Sequence, residues 1–374
     1  MQGTDLFNFQ RIVIKLGTST LTAGTPVISP PRLIDLVRQM AELRRPGREL
    51  LLVTSGAIAA GREWLKFPHL PKDIPVKQML AAIGQPRLMA LYEQLFGLYG
   101  ITVGQVLLTR TDLDDRRGYL NARNTLAALL SQGVIPIINE NDTVATEEIR
   151  VGDNDTLSAL VANLIEADLL ILLTDQPGLF TADPRKDPSA QLVSEISDAE
   201  IPEALWQAAG GSTSRLGTGG MITKLQAADL ARRSGAAVFI ARGSDPDVLP
   251  RVVNGEALGT RFLPIATAIE GRKRFMLTGG RARDRLVVDN GAGQALRAGG
   301  SLLPVGVTAV EGRFERGDTV RVLDQQGREI ARGLVNYSAA ELGRICGRHS
   351  SEIEKILGFV YGEEVIHRNN MVLL

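Results

Sequence analysis

Cysteine is almost absent: Cys346 stands alone among 374 residues. With one thiol there is no internal disulfide and no thiolate cluster for a metal, which fits a reducing compartment. Histidine is nearly as scarce, and His69, His349 and His367 lie in three unrelated contexts, so no shared metal site and no catalytic role is assigned to them. Aromatic residues make up only 5% of the chain against 44% hydrophobic residues in all, so the core must be aliphatic. Net charge is missing too. The 42 Lys+Arg balance 42 Asp+Glu, which excludes a polybasic, nucleic-acid-coating role. No apolar run reaches the roughly 18 residues of a membrane span, and Met1–Phe9 lacks the basic start and apolar stretch of a secretion signal. The expectation is a cytoplasmic enzyme or binding protein with no membrane partner.

What is present reads as alternating strands and helices. Arg11–Gly17 and Glu49–Gly56 are short apolar runs closed by glycine, with a helical segment from Pro31 to about Leu43 between them. Thr102–Leu108, Val134–Asn139, Asp168–Thr174 and Ala236–Ala241 repeat the form. Continuous apolar strands separated by helices predict a parallel sheet buried on both faces. Such sheets bind ligands at the carboxyl ends of their strands. After about residue 262 the pattern changes to short alternating stretches such as Asp318–Leu323 and Gly358–Tyr361, with turn pairs at Asn290-Gly and Gln326-Gly. Two domains are expected, residues 1–262 and 281–374, joined by a connector over 263–280 that carries Arg272-Lys-Arg274, read as a solvated hinge.

Neither a GxxxxGK[ST] loop nor the protein-kinase motif set is present, so phosphate chemistry would need other parts. Lys15 stands at the end of an apolar strand, just before Gly17-Thr18-Ser19; an ammonium beside exposed backbone amides cradles a phosphate. A lysine snorkelling from a sheet edge reads the same way in isolation. The glycine run Gly217–Gly220 leads into a helical pattern over Thr223–Ser234 with Lys224 in its first turn, a second anion-favouring feature that could also be a bare surface loop. Asp153-Asn154-Asp155 precedes the helical stretch Thr156–Ile165. One of these residues could serve as a cap, yet capping does not need two acids. An aspartate between two lysines is stabilised by both and holds both, so Asp155 is read as the organiser of Lys15 and Lys224, with Asp153 near the substrate. Asn139–Asp142 suits the ammonium of an amino acid, and Thr54–Ala57, with a hydroxyl and backbone amides, suits a carboxylate. Cys346 is read as a small packing residue.

Taken together, Lys15–Thr18, Val53–Arg62, Leu120–Arg123, Ile138–Asp142, Val151–Asp155, Leu173–Gln176, Phe180–Pro184 and Gly217–Leu225 resemble the amino acid kinase family, in its glutamate-phosphorylating branch. The tail, through Gly299–Gly306 and Ile356–Gly358, resembles a PUA domain. The resemblance implies an α/β three-layer sandwich around a mostly parallel sheet, plus a small C-terminal β-rich PUA-like domain. It implies transfer of the ATP γ-phosphoryl group to the side-chain carboxylate of L-glutamate, giving γ-glutamyl phosphate, the first step toward proline. Lys15, Lys224 and Asp155 would then be catalytic. Ser55, Gly56, Ala57, Asn139, Asp142, Asp153 and Asn154 would bind glutamate. Lys15, Gly17, Thr18, Thr174, Asp175, Thr218, Gly219, Gly220, Met221, Ile222, Thr223 and Lys224 would bind ATP. Also implied are Mg²⁺ with ATP, inhibition by proline, a homo-oligomer (dimer or tetramer) and coupling to glutamyl phosphate reductase; no residue is assigned to the metal. Glu147, Arg150 and Asn124 depart from the family pattern, which bears on inhibition rather than on the reaction. A sister kinase acting on aspartate, N-acetylglutamate or uridylate remains the alternative, against which the Ser55 and Asn139–Asp142 pockets speak. RNA binding by the tail is not expected, because residues 281–374 carry 13 Lys+Arg and 12 Asp+Glu.

Overall fold

The computed structural model describes residues 9–67, 69–71, 73–145, 154–210, 220–265 and 284–374. These divide into two compact units, Met1–Leu113 with Ala122–Ala268, and Asp114–Asn121 with Ile269–Leu374.

The first unit is built on an eight-stranded sheet of β1 (Arg11–Leu16), β2 (Glu49–Thr54), β3 (Val103–Leu108), β4 (Ile135–Glu140), β5 (Leu169–Thr174), β6 (Glu195–Ile196), β7 (Ala237–Arg242) and β8 (Thr260–Phe262), in the order β3-β4-β2-β1-β5-β7-β8-β6. The central strands are parallel, with Ile14 level with Leu52 on one side and Ile171 on the other. The expected strands all form. The sheet departs from an all-parallel one at β8, which runs antiparallel to β7. Strands β6 and β8 are too short to leave an apolar run in the sequence.

Helices cover both faces: α1 (Thr18–Thr22), α2 (Pro30–Leu43), α3 (Ala57–Trp64), α4 (Ile74–Gly97), α5 (Arg110–Asp114), α6 (Arg116–Ser131), α7 (Asn154–Leu164), α8 (Glu203–Ala208), α9 (Met221–Arg233) and α10 (Val248–Val253). An aliphatic core that includes Ile12, Ile14, Leu36, Val37, Leu52, Leu88, Ile171 and Phe239 joins the sheet to α2, α4 and α10, the driving term for the fold at about 25 cal/mol per Å² of apolar surface buried. Helices α3 and α4 approach backbone to backbone. A Cβ on Gly61 would stand 2.0 Å from the Leu80 carbonyl oxygen, and one on Gly84 would stand 1.8 Å from that of Ala57, so only glycine permits the contact. This fixes α3 behind the end of β2.

The helix read as Thr156–Ile165 begins two residues earlier, at Asn154, so Asn154 and Asp155 sit in its first turn rather than ahead of it. Likewise α9 starts at Met221, not Thr223.

The second unit carries a five-stranded sheet, β10 (Val307–Glu311), β9 (Arg285–Val288), β11 (Thr319–Leu323), β12 (Glu329–Leu334) and β13 (Met371–Leu373) in that order, antiparallel except for β9 with β11. Helices α11 (Asn290–Arg297), α12 (Ala339–Ile345) and α13 (Ile353–Leu357) complete it. Two expectations are corrected here. Asn290-Gly is not a hairpin turn but the start of α11, capped by Asp289, whose side chain accepts from the Ala292 amide at 2.7 Å. Gly358–Tyr361 is not a strand: Gly358 ends α13 in the left-handed conformation, φ +86°, and Phe359, Val360 and Tyr361 follow exposed with Phe359 and Tyr361 ring centroids 4.9 Å apart. Gln326-Gly does form a turn, with Gly327 at φ +76°. Cys346 packs against the core of this unit and donates through Sγ to the Val307 carbonyl at 2.9 Å; burial pushes its thiol up. The hinge residues Arg272–Arg274, with Glu147 and Arg150, lie outside the described residues.

Candidate active site

The parallel strands of the first unit all end on one edge, and the expected site residues gather there. At the end of β1, Lys15 is only 4% exposed, a charge the aliphatic strand cannot bury without a partner. The partner is Asp155, in the first turn of α7. Lys15 Nζ lies 2.5 Å from Asp155 Oδ1, and Lys224 Nζ, from the first turn of α9, lies 3.0 Å from Oδ2. Thr223 donates to the same Oδ2 at 2.8 Å and accepts from the Gly220 amide at 3.3 Å, which ties the start of α9 to α7. Burial alone would push the Asp155 carboxyl up; the two ammonium groups outweigh it and hold the acid well below the usual carboxylate range. One carboxylate thus sets two cations side by side. Gly17 belongs to this arrangement sterically, since a Cβ there would come within 3.3 Å of Lys15 Nζ.

Two cavities open at this edge, and the centre itself lines the second of them. The first, about 460 Å³, is walled by Ser55, Gly56, Ala57, Asn139, Asp142 and Asn154, together with Glu140, Arg62 and α1 residues. Gly56 takes φ +104° to turn the chain from β2 into α3; any side chain there would be strained and would stand 3.1 Å from Leu21 Cδ1. Asn154 Nδ2 donates to Ser55 Oγ at 2.8 Å, to the Thr54 carbonyl at 3.0 Å and to Asn139 Oδ1 at 3.1 Å. Its own Oδ1 is buried and has no hydrogen-bond partner among the described residues, which suits an acceptor for a ligand's donor. Asn139 is oriented in turn by Gln85 of α4, whose Oε1 accepts from Asn139 Nδ2 at 2.8 Å. Burial raises the Asp142 carboxyl to about 6. A cationic ligand would restore its charge.

The second cavity, about 690 Å³, is lined by Lys15, Gly17, Thr18, Asp155, Thr174, Asp175, Gly220, Met221, Ile222 and Lys224, and also by Phe180 and Arg185 from the loop after β5. Thr18 and Ser55 line both cavities. Thr174 donates through Oγ1 to Asp175 at 3.0 Å.

Of the expected residues, Lys15, Asp155 and Lys224 meet directly, and those proposed for the two ligands divide between the two cavities. Thr223 does not line the second cavity; it is 2% exposed and its hydroxyl engages Asp155. Asp153, Thr218 and Gly219 lie outside the described residues. Gln85, Arg62 and Arg185 were not singled out from the sequence. Gln85 leaves no local signal, because its role depends on the packing of α4 against β4. Arg62 closes the Val53–Arg62 motif, and its charge was the available signal. Among the described residues no three His, Cys, Asp or Glu side chains converge as a metal site.

The model of the amino acid kinase family matches residues 10–242, and that of the PUA domain matches residues 284–357. Glutamate 5-kinase of Shewanella amazonensis is 56% identical over 98% of this chain and 96% of its own length, and that of Photobacterium profundum is 56% identical with the same coverage. Glutamate 5-kinase of Deinococcus radiodurans is 55% identical over 97% of this chain and 100% of its own. Among solved structures, UMP kinase from Bacillus anthracis aligns with 69% of this chain and 97% of its own at 18% identity and a TM-score of 0.47. With the two-cavity site on the carboxyl edge of its sheet and more than half of its length matched by the family model, the chain belongs to the amino acid kinase family.

Proposed function

We propose that the chain phosphorylates the side-chain carboxylate of L-glutamate with ATP, giving γ-glutamyl phosphate, the first step of proline biosynthesis and the activity for which the glutamate 5-kinases are named. The observation that carries the reading is the Lys15–Asp155–Lys224 centre standing where a cavity suited to an amino acid adjoins one suited to a nucleotide. An oxygen of the glutamate carboxylate attacks the γ-phosphorus in line; the new O–P bond forms as the bond to the bridging oxygen of ADP breaks. A side-chain carboxylate has a pKa near 4.3 and is already ionised at neutral pH, so the step needs no general base. It needs neutralisation of the charge that spreads over the phosphoryl oxygens and passes to ADP. Lys15 and Lys224 supply that charge, and Asp155 fixes where it stands.

In the acceptor cavity Ser55 and the amides of Gly56 and Ala57 hold one carboxylate. Asp142, the Asn154 Oδ1 and Asn139 receive the ammonium, and the sequence assigns Asp153 to the same ligand. Arg62 is the cation placed to face the second carboxylate, which favours a free α-carboxylate over an O-blocked acceptor, while Asp142 favours a free ammonium over an N-blocked one. In the nucleotide cavity Gly17, Thr18, Thr174, Asp175, Gly220, Met221, Ile222 and Lys224 hold ATP, Thr223 acts through Asp155, and the sequence assigns Thr218 and Gly219 to the same ligand. Asp175 is the carboxylate of this cavity that would hold Mg²⁺ bound with ATP, because Asp155 and Asp183 are already paired with cations. When bound, the ion neutralises phosphate charge.

The domain limits we assign are 1–262 for the kinase domain, 263–280 for the connector and 281–374 for the PUA-like domain. A homo-oligomer is supported by α3 and α4: Trp64, Phe67, Met79, Leu98 and Tyr99 are exposed on or beside them, an apolar surface of the kind a second copy covers. Proline, an amino acid with the same ammonium and α-carboxylate pattern, fits the acceptor cavity as an inhibitor. The acyl phosphate product hydrolyses readily, which supports coupling to glutamyl phosphate reductase. No helix among the described residues is long and apolar enough to cross a membrane, and with the single cysteine this supports a cytoplasmic location.

The test is ATP- and Mg²⁺-dependent hydroxylamine trapping with L-glutamate, L-aspartate and N-acetyl-L-glutamate, with and without proline. Hydroxamate from glutamate alone is expected. Turnover confined to another acceptor would keep the phosphoryl chemistry and overturn the substrate.

A further inference from the structure

A third cavity, about 580 Å³, opens at the opposite, amino-terminal edge of the same sheet. Its walls are the α2–β2 loop, Arg44–Arg48, and the turn from α6 into β4 around Gly133. Leu50, Leu130 and Ile135 give it an aliphatic floor. The charged groups that face it are Arg44, Arg45, Arg48 and Glu49. Glu49 is already matched, because Arg11 Nε donates to its Oε2 at 2.6 Å. That leaves three guanidinium groups with no carboxylate partner among the described residues. Two of them are tethered by neutral oxygens: Arg44 donates to the Gly133 carbonyl at 2.5 Å and Arg48 to the Phe9 carbonyl at 3.1 Å. A carbonyl positions a guanidinium without neutralising it, so both retain their charge and unused N–H groups. Burial lowers the pKa of Arg48, and the charge of Arg45 acts in the same direction. Solvated arginines with no further role would spread apart or pair with the nearest acid. Here the nearest acid is taken by Arg11, and the loop keeps the three together.

We propose that this cleft binds a small multivalent oxyanion, phosphate or a phosphate monoester, through Arg44, Arg45 and Arg48, which line it. The planar fork of arginine matches tetrahedral oxyanions by paired hydrogen bonds. A volume of this size takes a small molecule rather than a polymer. The aliphatic floor fits a short carbon skeleton attached to the anion. The site is separate from the nucleotide cavity, since six-residue strands at roughly 3.3 Å per residue put about 20 Å between the two edges of the sheet. It lies at the start of β2 and β4, the strands whose far ends carry Ser55 and Asn139.

The full-length protein would be titrated with inorganic phosphate and with glycerol 3-phosphate, each against chloride at matched ionic strength, with the thermal midpoint as readout. The variants are Arg45→Gln/Arg48→Gln, and Arg45→Glu alone, which removes no side-chain hydrogen bond among the described residues. Phosphate bound at the nucleotide cavity contributes equally to all three proteins, so the difference between them isolates this cleft. A saturable stabilisation of the wild type, weakened at least tenfold in apparent affinity in both variants, is expected. A stronger response to glycerol 3-phosphate than to inorganic phosphate would assign the ester as the ligand; the reverse would assign the free anion. Equal responses of wild type and variants, or no saturable response beyond chloride, would overturn the proposal.

Discussion

Replacing Asp155 by asparagine keeps the shape of the side chain and removes its charge, which isolates the electrostatic role of the centre. Asp155 is 3% exposed and stands 2.5 Å and 3.0 Å from two ammonium nitrogens. At an effective dielectric constant of about 20, each contact is worth roughly 6 kcal/mol of Coulomb attraction. Most of that offsets the cost of removing three charges from water; what the substitution exposes is the penalty of two cations left facing each other, about 3–5 kcal/mol. At roughly 3 °C per kcal/mol, the thermal midpoint of the nucleotide-free protein should fall by about 10–15 °C. Saturating MgATP places phosphate charge beside the same lysines, so it should narrow the gap between variant and wild type. Turnover should fall at least 100-fold, because a misplacement of about 1 Å at a transfer site costs that much. The acid limb gives a further check. Because the folded-state pKa of Asp155 is depressed, its contribution is complete above the unfolded value near 4 and is lost as the pH falls below it; the variant should lack that part of the wild-type acid transition. Calorimetry with and without MgATP, beside steady-state kinetics, measures all of this. A midpoint within 2 °C of wild type together with turnover within tenfold would refute the reasoning.

Lys15→Ala and Lys224→Ala should each lower kcat by about 100-fold or more while changing glutamate KM little, since their charge matters most in the transition state; steady-state kinetics in both substrates decides it. Ser55→Ala should act mainly on glutamate KM, raising it by about tenfold for a lost hydrogen bond to a charged group. With Asp142 titrating at about 6, kcat/KM for glutamate should decline as the pH falls from about 7 through 6, and Asp142→Asn should be low at every pH with that inflection gone. In the free protein the sign for stability is opposite: a raised carboxylate pKa favours the fold on the acid side, and the advantage is lost as the pH rises through about 6. Gly84→Ala should destabilise by several kcal/mol, because its methyl group meets the Ala57 carbonyl at 1.8 Å, and a thermal melt would show it.

The parallel core was legible because its central strands are nearly continuous aliphatic runs, a pattern that a strand buried on both faces imposes on sequence. Arg11–Leu16 and Leu169–Thr174 stand in the fold almost where their runs begin and end. Lys15, Asp155 and Lys224 could be read for a related reason: each is a charge where apolar residues or glycine dominate, and charges in such settings need one another. The two-residue β6 leaves no periodicity to detect. Gly358–Tyr361 misleads in the other direction, since its apolar alternation comes from a loop whose aromatic rings meet at a tilt of 56°. Gln85 was hidden because its contact with Asn139 depends on how α4 lies, and that is decided by the backbone approach of Gly84, its neighbour in the chain, to Ala57 and of Gly61 to Leu80, contacts between two helices that no local pattern announces. Arg62 was visible as a charge, but nothing local tells which way an exposed arginine on a short helix faces.

Thr18 and Ser55 line both cavities at the active edge, so the partition between nucleotide and amino acid is about one side chain thick. An inhibitor could exploit that thinness. A single molecule joining adenosine to glutamate through a short polyphosphate bridge would fill both chambers after losing overall translational freedom only once, where two separate ligands lose it twice. Its advantage over either half would depend on bridge length with a sharp optimum, and that optimum would serve as a ruler for the distance the phosphoryl group travels.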